Sequence, residues 1–264
     1  MIDQRLADKL TERIEDALRS ASRLPLVVGI CGAQGSGKST LTAHLAERLG
    51  ESGRRVAALS LDDLYKTRAE RQAMARTVHP LFATRGVPGT HDVALGLDTL
   101  AALERGEANP LPRFDKGGDD RVPRADWPLA PEGTQVLLLE GWCLGARPQP
   151  DVSEPVNALE VEEDPQALWR SHANAALAGE YQRLFAHIDL LVLLAAPGWD
   201  VVAQWREQQE AELRQRGGAA VMNPAQVSRF IQHYERLTRW ILEEMPMRAD
   251  LTVRLGPDRE VLGL

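Results

Sequence analysis

The chain has 264 residues, of which 44% are hydrophobic and 26% charged, a composition that excludes a disordered tail, a coiled coil, a collagen-like repeat and a disulfide scaffold. The formal net charge of -7 argues against a nucleic acid as partner. Lysine is scarce among the 31 basic residues, so its four positions are informative: Lys9, Lys38, Lys66 and Lys116.

The first part of the chain predicts helix, strand, loop, helix and strand in that order. Leucine and isoleucine recur every four residues within 1–23, which indicates an amphipathic helix. Residues 26–31 are apolar on both faces, as is typical of a strand buried in a parallel sheet. After a glycine-rich loop we expect a helix over 38–49 with Gly50 as its C-cap, and then a strand over 55–61.

The second half of the chain alternates apolar runs with helical patterns. We predict a strand over 136–139, a helix from Asp164-Pro165 towards His187, a strand over 190–194, helices over 198–216 and 223–244, and a last strand over 251–255. This alternation favours an α/β fold, a mostly parallel sheet with helices on both faces. We interpret residues 1–264 as a single domain.

Residues 79–133 differ from the rest of the chain. They are rich in Pro, Gly, Arg and Asp, and only 93–103 has a clear helical pattern. A long irregular segment in a compact domain is usually functional or disordered. Because this one also contains many Arg, His and Asp side chains, we expect it to bind a substrate.

The glycine-rich loop after the first strand fits the pattern G-x-x-x-x-G-K-[ST]. Its glycines let backbone N–H groups point at phosphate oxygens, and the following helix adds its dipole. Lys38 would reach the β- and γ-phosphates, and the Ser39 hydroxyl would ligate Mg²⁺. We therefore predict an ATP site in a P-loop formed by Gly32, Ala33, Gln34, Gly35, Ser36, Gly37, Lys38, Ser39 and Thr40.

Three classes of P-loop protein compete for this sequence. A GTPase needs an Asn-Lys-x-Asp element, and none of the four lysines follows an asparagine. A motor ATPase usually has an apolar strand that ends in Asp followed by Glu, whereas the strand over 136–139 is followed by Glu140 and then Gly141. The remaining class is a small-molecule kinase.

An acidic element after the second strand supports the kinase. Asp62 and Asp63 would lie at the carboxyl edge of the sheet, where ligands of α/β proteins bind. A kinase needs a carboxylate that takes the proton of the acceptor hydroxyl. We predict Asp62 as this base; the competing interpretation, for both acids, is a helix N-cap.

Several stretches resemble the D-glycerate 3-kinase family, within the phosphoribulokinase and uridine kinase group of P-loop kinases. Besides the P-loop, the resemblance rests on Asp62-Asp63-Leu64-Tyr65, Thr84-Arg85-Gly86-Val87-Pro88-Gly89-Thr90-His91-Asp92, Pro112-Arg113-Phe114-Asp115-Lys116, Glu140-Gly141-Trp142-Cys143, Asn157-Ala158-Leu159-Glu160 and His233-Tyr234-Glu235-Arg236-Leu237-Thr238-Arg239. It runs from about residue 24 to the last residue.

The resemblance implies a reaction and two site residues. The reaction would be ATP-dependent phosphorylation of the 3-hydroxyl of D-glycerate to give 3-phosphoglycerate. Asp62 would match the catalytic carboxylate of the group. Glu140 would match the acid that helps to hold Mg²⁺, directly or through water.

The acceptor site should combine cations with hydrogen-bonding groups, because glycerate is a small anion with two hydroxyls. We predict that the acceptor contacts come from Tyr65, Arg85, His91, Asp92, Arg113, Asp115 and Lys116. The six histidines show no metal-ligand spacing.

A cation is also expected on the γ-phosphate during transfer. Kinases of the resembled group have it on a helical lid, and we place the lid at 198–218. Arg206 is our first choice for this cation, ahead of Arg214 and Arg216, and Gly217-Gly218 would form a hinge. The competing interpretation of Arg206 is a solvated helix face.

Two alternatives stay open at this stage. One is a kinase for another hydroxylated metabolite, such as a nucleoside, a pantothenate-like compound or a sugar acid; the other is an ATP-binding P-loop protein without an acceptor. Two cysteines without metal or redox spacing, a charged first segment and short apolar runs predict a cytoplasmic protein with no membrane partner. The oligomeric state is not predicted.

Overall fold

The structure is a computed structural model that describes residues 3–215 and 222–264. Its strands, in chain order, are β1 (Leu26–Gly32), β2 (Val56–Ser60), β3 (Phe114–Asp115), β4 (Asp120–Arg121), β5 (Val136–Gly141), β6 (Leu190–Ala195), β7 (Leu251–Leu255) and β8 (Val261–Gly263). Within the described residues, six of these strands form one sheet in the order β2-β5-β1-β6-β7-β8. The strands β3 and β4 form a separate antiparallel hairpin.

The main sheet is parallel from β2 to β7, as the sequence predicted. The strand over 251–255 is not the last one, since β8 follows it and pairs antiparallel with β7. In the register of the sheet, Glu140 of β5 lies opposite Ile30 of β1 on one side and Ser60 of β2 on the other. The P-loop, Glu140 and Asp62 therefore meet at one carboxyl edge.

Nine helices surround the sheet in the part of the chain that the structure describes. They are α1 (Gln4–Ser20), α2 (Lys38–Glu51), α3 (Arg68–Thr77), α4 (Val93–Glu104), α5 (Ala158–Glu163), α6 (Leu168–Ala176), α7 (Gln182–Phe185), α8 (Trp199–Gln215) and α9 (Pro224–Glu244). A π turn over Leu177–Tyr181 joins α6 to α7. Among 3–215 and 222–264, no helix is both long and apolar enough to cross a membrane.

Apolar side chains alternate along the strands and bury both faces of the sheet. Val27 and Cys31 of β1 belong to one core with residues of α4, α7 and α9. Val28 and Ile30 point into a second core with residues of α1, α2 and α8. The period of two that defines a strand thus produces the predicted arrangement of helices on both faces.

Two predicted helix ends are wrong. The helix α2 continues through Gly50 to Glu51, and it is Gly53, with φ of 86°, that adopts the left-handed conformation beyond its end. The helix expected at Asp164-Pro165 begins only at Leu168. Asp164 nevertheless caps it from a distance, because its carboxylate accepts hydrogen bonds from the N–H groups of Trp169 (2.9 Å) and Arg170 (3.2 Å).

Candidate active site

The loop between β1 and α2 has the form of a phosphate cradle. Gly35 and Gly37 have φ of 78° and 86°, values that favour glycine. Among residues 3–215 and 222–264, no side chain caps α2 at Gly37 and none lies within 4 Å of a Cβ built there, so this helix N-terminus is open to a ligand. Within the described residues, the buried Ser36 hydroxyl and Gln34 Oε1 have no hydrogen-bond partner. The N–H groups at the start of α2 and the Ser36 hydroxyl are donors, so they fit the phosphates of a nucleotide.

Ser39, Glu140 and Lys38 lie together at the start of α2. The Ser39 hydroxyl donates to Glu140 Oε1 at 3.0 Å, and Lys38 Nζ lies 4.0 Å from Glu140 Oε2. Glu140 is 6% exposed, and its Oε2 has no hydrogen-bond partner in the described part of the chain. Mg²⁺ takes one or two protein oxygens and completes its shell with water and phosphate, so Ser39 and Glu140 fit such an ion.

Both oxygens of the Asp62 carboxylate are hydrogen-bonded. Tyr65 Oη donates to Oδ1 at 2.9 Å, and Lys116 Nζ donates to Oδ2 at 2.6 Å. Burial on its own would raise the pKa of Asp62, but the charges of Lys116 and Lys38 and the two hydrogen bonds hold that pKa well below its ordinary value. Asp62 is therefore ionised at neutral pH, as a base must be.

The competing N-cap interpretation does not apply to Asp62. The single 3₁₀ turn over Leu61–Leu64 is capped by Ser60, whose hydroxyl accepts from the N–H of Asp62. The neighbouring Asp63 instead anchors the β3 strand, since it accepts from the N–H of Phe114 at 3.1 Å and from the Arg113 guanidinium at 3.2 Å. Burial raises the pKa of Asp63 in spite of the Arg113 charge.

Tyr65 and His91 form a buried stack behind Asp62. Their ring centroids are 4.5 Å apart, and they are 3% and 0% exposed. His91 Nδ1 lies 2.6 Å from Tyr181 Oη, whereas its Nε2 has no partner among the described residues. Burial lowers the pKa of His91 to about 3, so the ring is neutral. The contact of both residues with an acceptor stays a prediction. In this structure the Tyr65 hydroxyl binds the Asp62 carboxylate, and His91 packs against the Tyr65 ring.

Arg85 and Lys116 face the Asp62 side of the site. Arg85 pairs with Asp119 through Nη1, donates to the Lys116 carbonyl at 3.3 Å and lies over the Phe114 ring. Lys116 contacts Asp62 directly, and its side chain is 59% exposed. Of these two residues, the structure thus brings Lys116 to the candidate base itself and Arg85 to the main chain of Lys116.

Three other predicted acceptor residues have partners within the fold. Asp92 caps α4 by accepting from the N–H of Leu95 at 3.0 Å and pairs with Arg121 at 3.0 Å. Asp115 accepts from two N–H groups of its own hairpin loop. Arg113 pairs with Asp63 and lines a cleft of about 260 Å³ beside Ser39 and Glu140. These partners are typical of residues that shape a binding segment.

Arg206 is not on a solvated face. Its side chain is 17% exposed, pairs with Glu210 and lies 5.3 Å from the centroid of the Phe230 ring, while its Nε has no partner within the described residues. The pKa of the Tyr234 phenol responds to charges on both sides of the site. Burial and the charge of Asp62 raise this pKa, whereas the charges of Arg85 and Arg206 lower it.

The predicted lid is only partly described. The first half of α8 is core, since Val202 and Trp205 are 2% and 1% exposed. The Arg214 side chain, Arg216 and the predicted Gly217-Gly218 hinge lie outside the described residues. The structure therefore places Arg206 on a packed section of the helix.

Known proteins match most of this chain. A family model described as methylmalonyl Co-A mutase-associated GTPase MeaB matches residues 2–68, which include the P-loop. The uncharacterized kinase mug58 of Schizosaccharomyces pombe is 35% identical over 241 residues, which cover 87% of this chain and 85% of that protein. The chloroplastic D-glycerate 3-kinase of Arabidopsis thaliana is 34% identical over 249 residues, 89% of this chain, but the match spans only 51% of the plant protein.

A solved structure extends the comparison to the fold. D-glycerate 3-kinase from Cryptococcus neoformans var. grubii serotype A matches with a TM-score of 0.78 and 26% sequence identity over 98% of both chains. The chain belongs to the D-glycerate 3-kinase family of P-loop kinases. It is accordingly a kinase that transfers phosphate to an alcohol group of a small metabolite. The kinase class is thus confirmed over the GTPase and motor classes.

Two residues of the site had no predicted role. Tyr234 of α9 donates to the Arg85 carbonyl at 3.1 Å and packs edge-on against Trp142 at 4.9 Å between centroids. It stands in a family-like stretch, so the sequence held a signal for it. Arg259 follows β7 and donates to the carbonyl of Gly35 in the P-loop at 2.6 Å while lying over Trp205. No sequence pattern distinguishes Arg259, because this contact depends on a turn far along the chain.

Gly86 gives a test of the packing around Tyr234. It has φ of 140°, and a Cβ there would lie 2.1 Å from Tyr234 Oη. We expect Gly86→Ala to lower the free energy of unfolding by about 3 kcal/mol or more, since strain and overpacking add. Gly106→Ala is the control, because Gly106 has φ of 77° and open space around it, and we expect a loss of about 1 kcal/mol. Urea titration measures both, and equal losses would contradict this assignment of Gly86.

Proposed function

We propose that the protein uses ATP and Mg²⁺ to phosphorylate the 3-hydroxyl of D-glycerate, which gives 3-phosphoglycerate and ADP. The observation that carries the proposal is the convergence at one sheet edge of a P-loop and an ionised aspartate that contacts an exposed cation, Lys116, whose main chain is bound by a second cation, Arg85. The D-glycerate 3-kinase names of two relatives fit an acceptor that is a hydroxy acid.

Nucleotide binding would use two openings on either side of the P-loop. Ser39 and Glu140 would hold Mg²⁺, which neutralises phosphate charge when bound. The nucleoside would lie in a cleft of about 640 Å³ that Ser36, Gly37 and Thr40 line on one side. The other side of this cleft comes from the start of α1 and the turn over 258–261. Its size exceeds that of a purine nucleoside.

Transfer needs one proton acceptor and several fixed positive charges. Asp62 would take the proton of the 3-hydroxyl. The hydroxyl oxygen would form a bond to the γ-phosphorus while the bond between that phosphorus and the leaving oxygen of ADP breaks. Lys38 would stabilise the charge on the transferring group from the P-loop side. Arg206 would stabilise it from α8 after leaving Glu210, and the partnerless Nε of Arg206 supports this role.

The role of Arg206 has a direct test. We expect Arg206→Ala to lower kcat about 100-fold, as removal of one donor to a transition state typically does, with the KM for ATP nearly unchanged. Glu207→Ala, at the exposed neighbouring position, is the matched control and should keep kcat within about twofold. Steady-state kinetics of both variants measure this, and a normal kcat for Arg206→Ala would remove Arg206 from the mechanism.

The proposed function is tested with a coupled ADP-release assay over a panel of acceptors. The panel contains D-glycerate, glycerol, nucleosides, pantothenate and sugar acids, each with MgATP and with MgGTP. We expect turnover with D-glycerate and MgATP and none with nucleosides. Turnover with another acceptor and not with D-glycerate would assign a different substrate, and the absence of acceptor-dependent turnover would contradict the kinase mechanism.

A cytoplasmic location stays a prediction from the sequence.

A further inference from the structure

An exposed lysine covers the atom that an acceptor must reach. Oδ1 of Asp62 receives the hydroxyl of the buried Tyr65, so Oδ2 is the oxygen left for an acceptor hydroxyl. Lys116 Nζ lies 2.6 Å from this Oδ2, although the lysine side chain is 59% exposed. The ammonium occupies one acceptor position of Oδ2 and holds its negative charge, so an acceptor hydroxyl has to compete with Lys116 for this oxygen.

The main chain that presents Lys116 is held in place. The Asp115 carboxylate accepts from the N–H groups of the next two glycines at 2.9 and 3.0 Å. On the other side of the loop, Asp119 pairs with Arg71, which is 1% exposed, and with Arg85. The Arg71 guanidinium also donates to the Asp119 carbonyl at 2.7 Å. Movement near Asp62 is therefore left to the flexible side chain of Lys116, with its four methylene groups.

The charge balance decides what can displace the lysine. The ammonium would lose an ionic partner when it leaves Asp62, and only a second anion replaces that partner in kind. A hydroxy acid brings such an anion a few ångströms from its hydroxyl, whereas a neutral polyol brings none. Arg85, which donates to the Lys116 carbonyl, adds a second cation on the same side.

We propose that Lys116 selects the acceptor by its charge: it covers Asp62 in the free enzyme and moves to the carboxylate of a bound hydroxy acid, which frees Oδ2 for the acceptor hydroxyl. This inference rests on the proposed function and adds to it the residue that excludes neutral alcohols. Lys116 acts on Asp62 as well as on the substrate, so its removal changes selectivity and not only affinity.

The test compares D-glycerate with glycerol, which has the same hydroxyl chain without the carboxylate. kcat/KM for each acceptor is measured with the wild type, Lys116→Met and Lys116→Arg. We expect Lys116→Met to lower kcat/KM for D-glycerate about 100-fold, the size of a lost charge-assisted hydrogen bond, and to leave glycerol equal or faster. The ratio of kcat/KM for D-glycerate to that for glycerol should therefore fall by about 100-fold or more, and Lys116→Arg, which keeps the charge, should show a smaller fall.

Arg105→Met is the matched control. Arg105 has the same exposed fraction of 59% and pairs with Glu107 at the end of α4. It should leave the D-glycerate to glycerol ratio unchanged. A Lys116→Met variant that is slower with both acceptors by the same factor would show a merely structural salt bridge and overturn the proposal.

Failure of the inference is distinguishable from failure of the proposed function. Wild-type turnover of D-glycerate with an unchanged ratio in Lys116→Met contradicts only the inference. Wild-type turnover of neutral polyols alone contradicts both. If no acceptor is turned over, the inference is tested by calorimetric titration with D-glycerate in the presence of MgADP. The inference predicts that the wild type binds D-glycerate and that Lys116→Met does not. Equal binding to both proteins, or binding to neither, overturns the inference.

Discussion

Lys38→Ala is expected to lower kcat/KM for the acceptor reaction about 10⁴-fold, the scale of a lost cation on a transferring phosphoryl group. Lys38 sits at the first position of α2, 4.0 Å from Glu140, and is the P-loop lysine that would reach the β- and γ-phosphates. Its loss removes both nucleotide binding and charge stabilisation. The measurements are initial rates of ADP release over a range of acceptor concentrations and calorimetric binding of MgATP.

Lys9→Ala serves as the control for this variant. Lys9 belongs to α1 and is the lysine that lies outside every proposed site element. We expect its activity and ATP affinity to match the wild type, and thermal melting should confirm that both variants fold. A Lys38→Ala protein that is folded and keeps more than a tenth of the wild-type kcat/KM would contradict the assignment of the P-loop.

Asp62→Asn should lower kcat about 10³-fold and leave ATP affinity nearly unchanged. The amide keeps the size of the side chain and an oxygen that accepts from Tyr65, but it cannot take a proton from the acceptor. The contact with Lys116 also loses its ionic character. Steady-state kinetics give kcat, and calorimetry with MgATP gives the affinity.

The neighbouring acid provides the control for Asp62. Asp63→Asn keeps an acceptor for the N–H of Phe114 and weakens the pair with Arg113, so we expect a lower melting temperature and a kcat within about tenfold of the wild type. A kcat that stays within tenfold for Asp62→Asn as well would show that Asp62 is not the base.

The strands and the P-loop could be predicted because local pattern determines them. An apolar run such as 136–139 has no stable place except inside a sheet covered on both faces, and β5 extends it by two residues. The helix predicted over 223–244 is α9, which begins at Pro224 after its N-cap Asn223 and which Asn223 and Gln226 cap through a capping box. The end of α2 could not be predicted in this way, since Gly50 and Gly53 offer equivalent signals, and in the structure it is Gly53 that has the positive φ.

In the candidate site, too, the residues that follow local patterns could be predicted, and the contacts between distant segments could not. Asp62 was predicted because it follows the strand over 55–61, and parallel strands bring their carboxyl ends to one edge, whereas the role of Glu140 was implied by the family resemblance. The arrangement of 79–133 depends on contacts between distant segments, such as those of Arg71 with the Lys66, Ala83 and Asp119 carbonyls. Composition marks this segment as functional, but it does not say that Asp92 caps a helix while Lys116 reaches the base.

The position of the transferred phosphate is determined by ³¹P nuclear magnetic resonance of the product that the wild-type protein forms from D-glycerate and MgATP. We expect one phosphomonoester signal, coupled to the two protons of the primary carbon, which identifies 3-phosphoglycerate, and an equal amount of ADP. A phosphorus coupled to the single proton of the secondary carbon, or ADP formed without any phosphorylated glycerate, would contradict the proposed reaction.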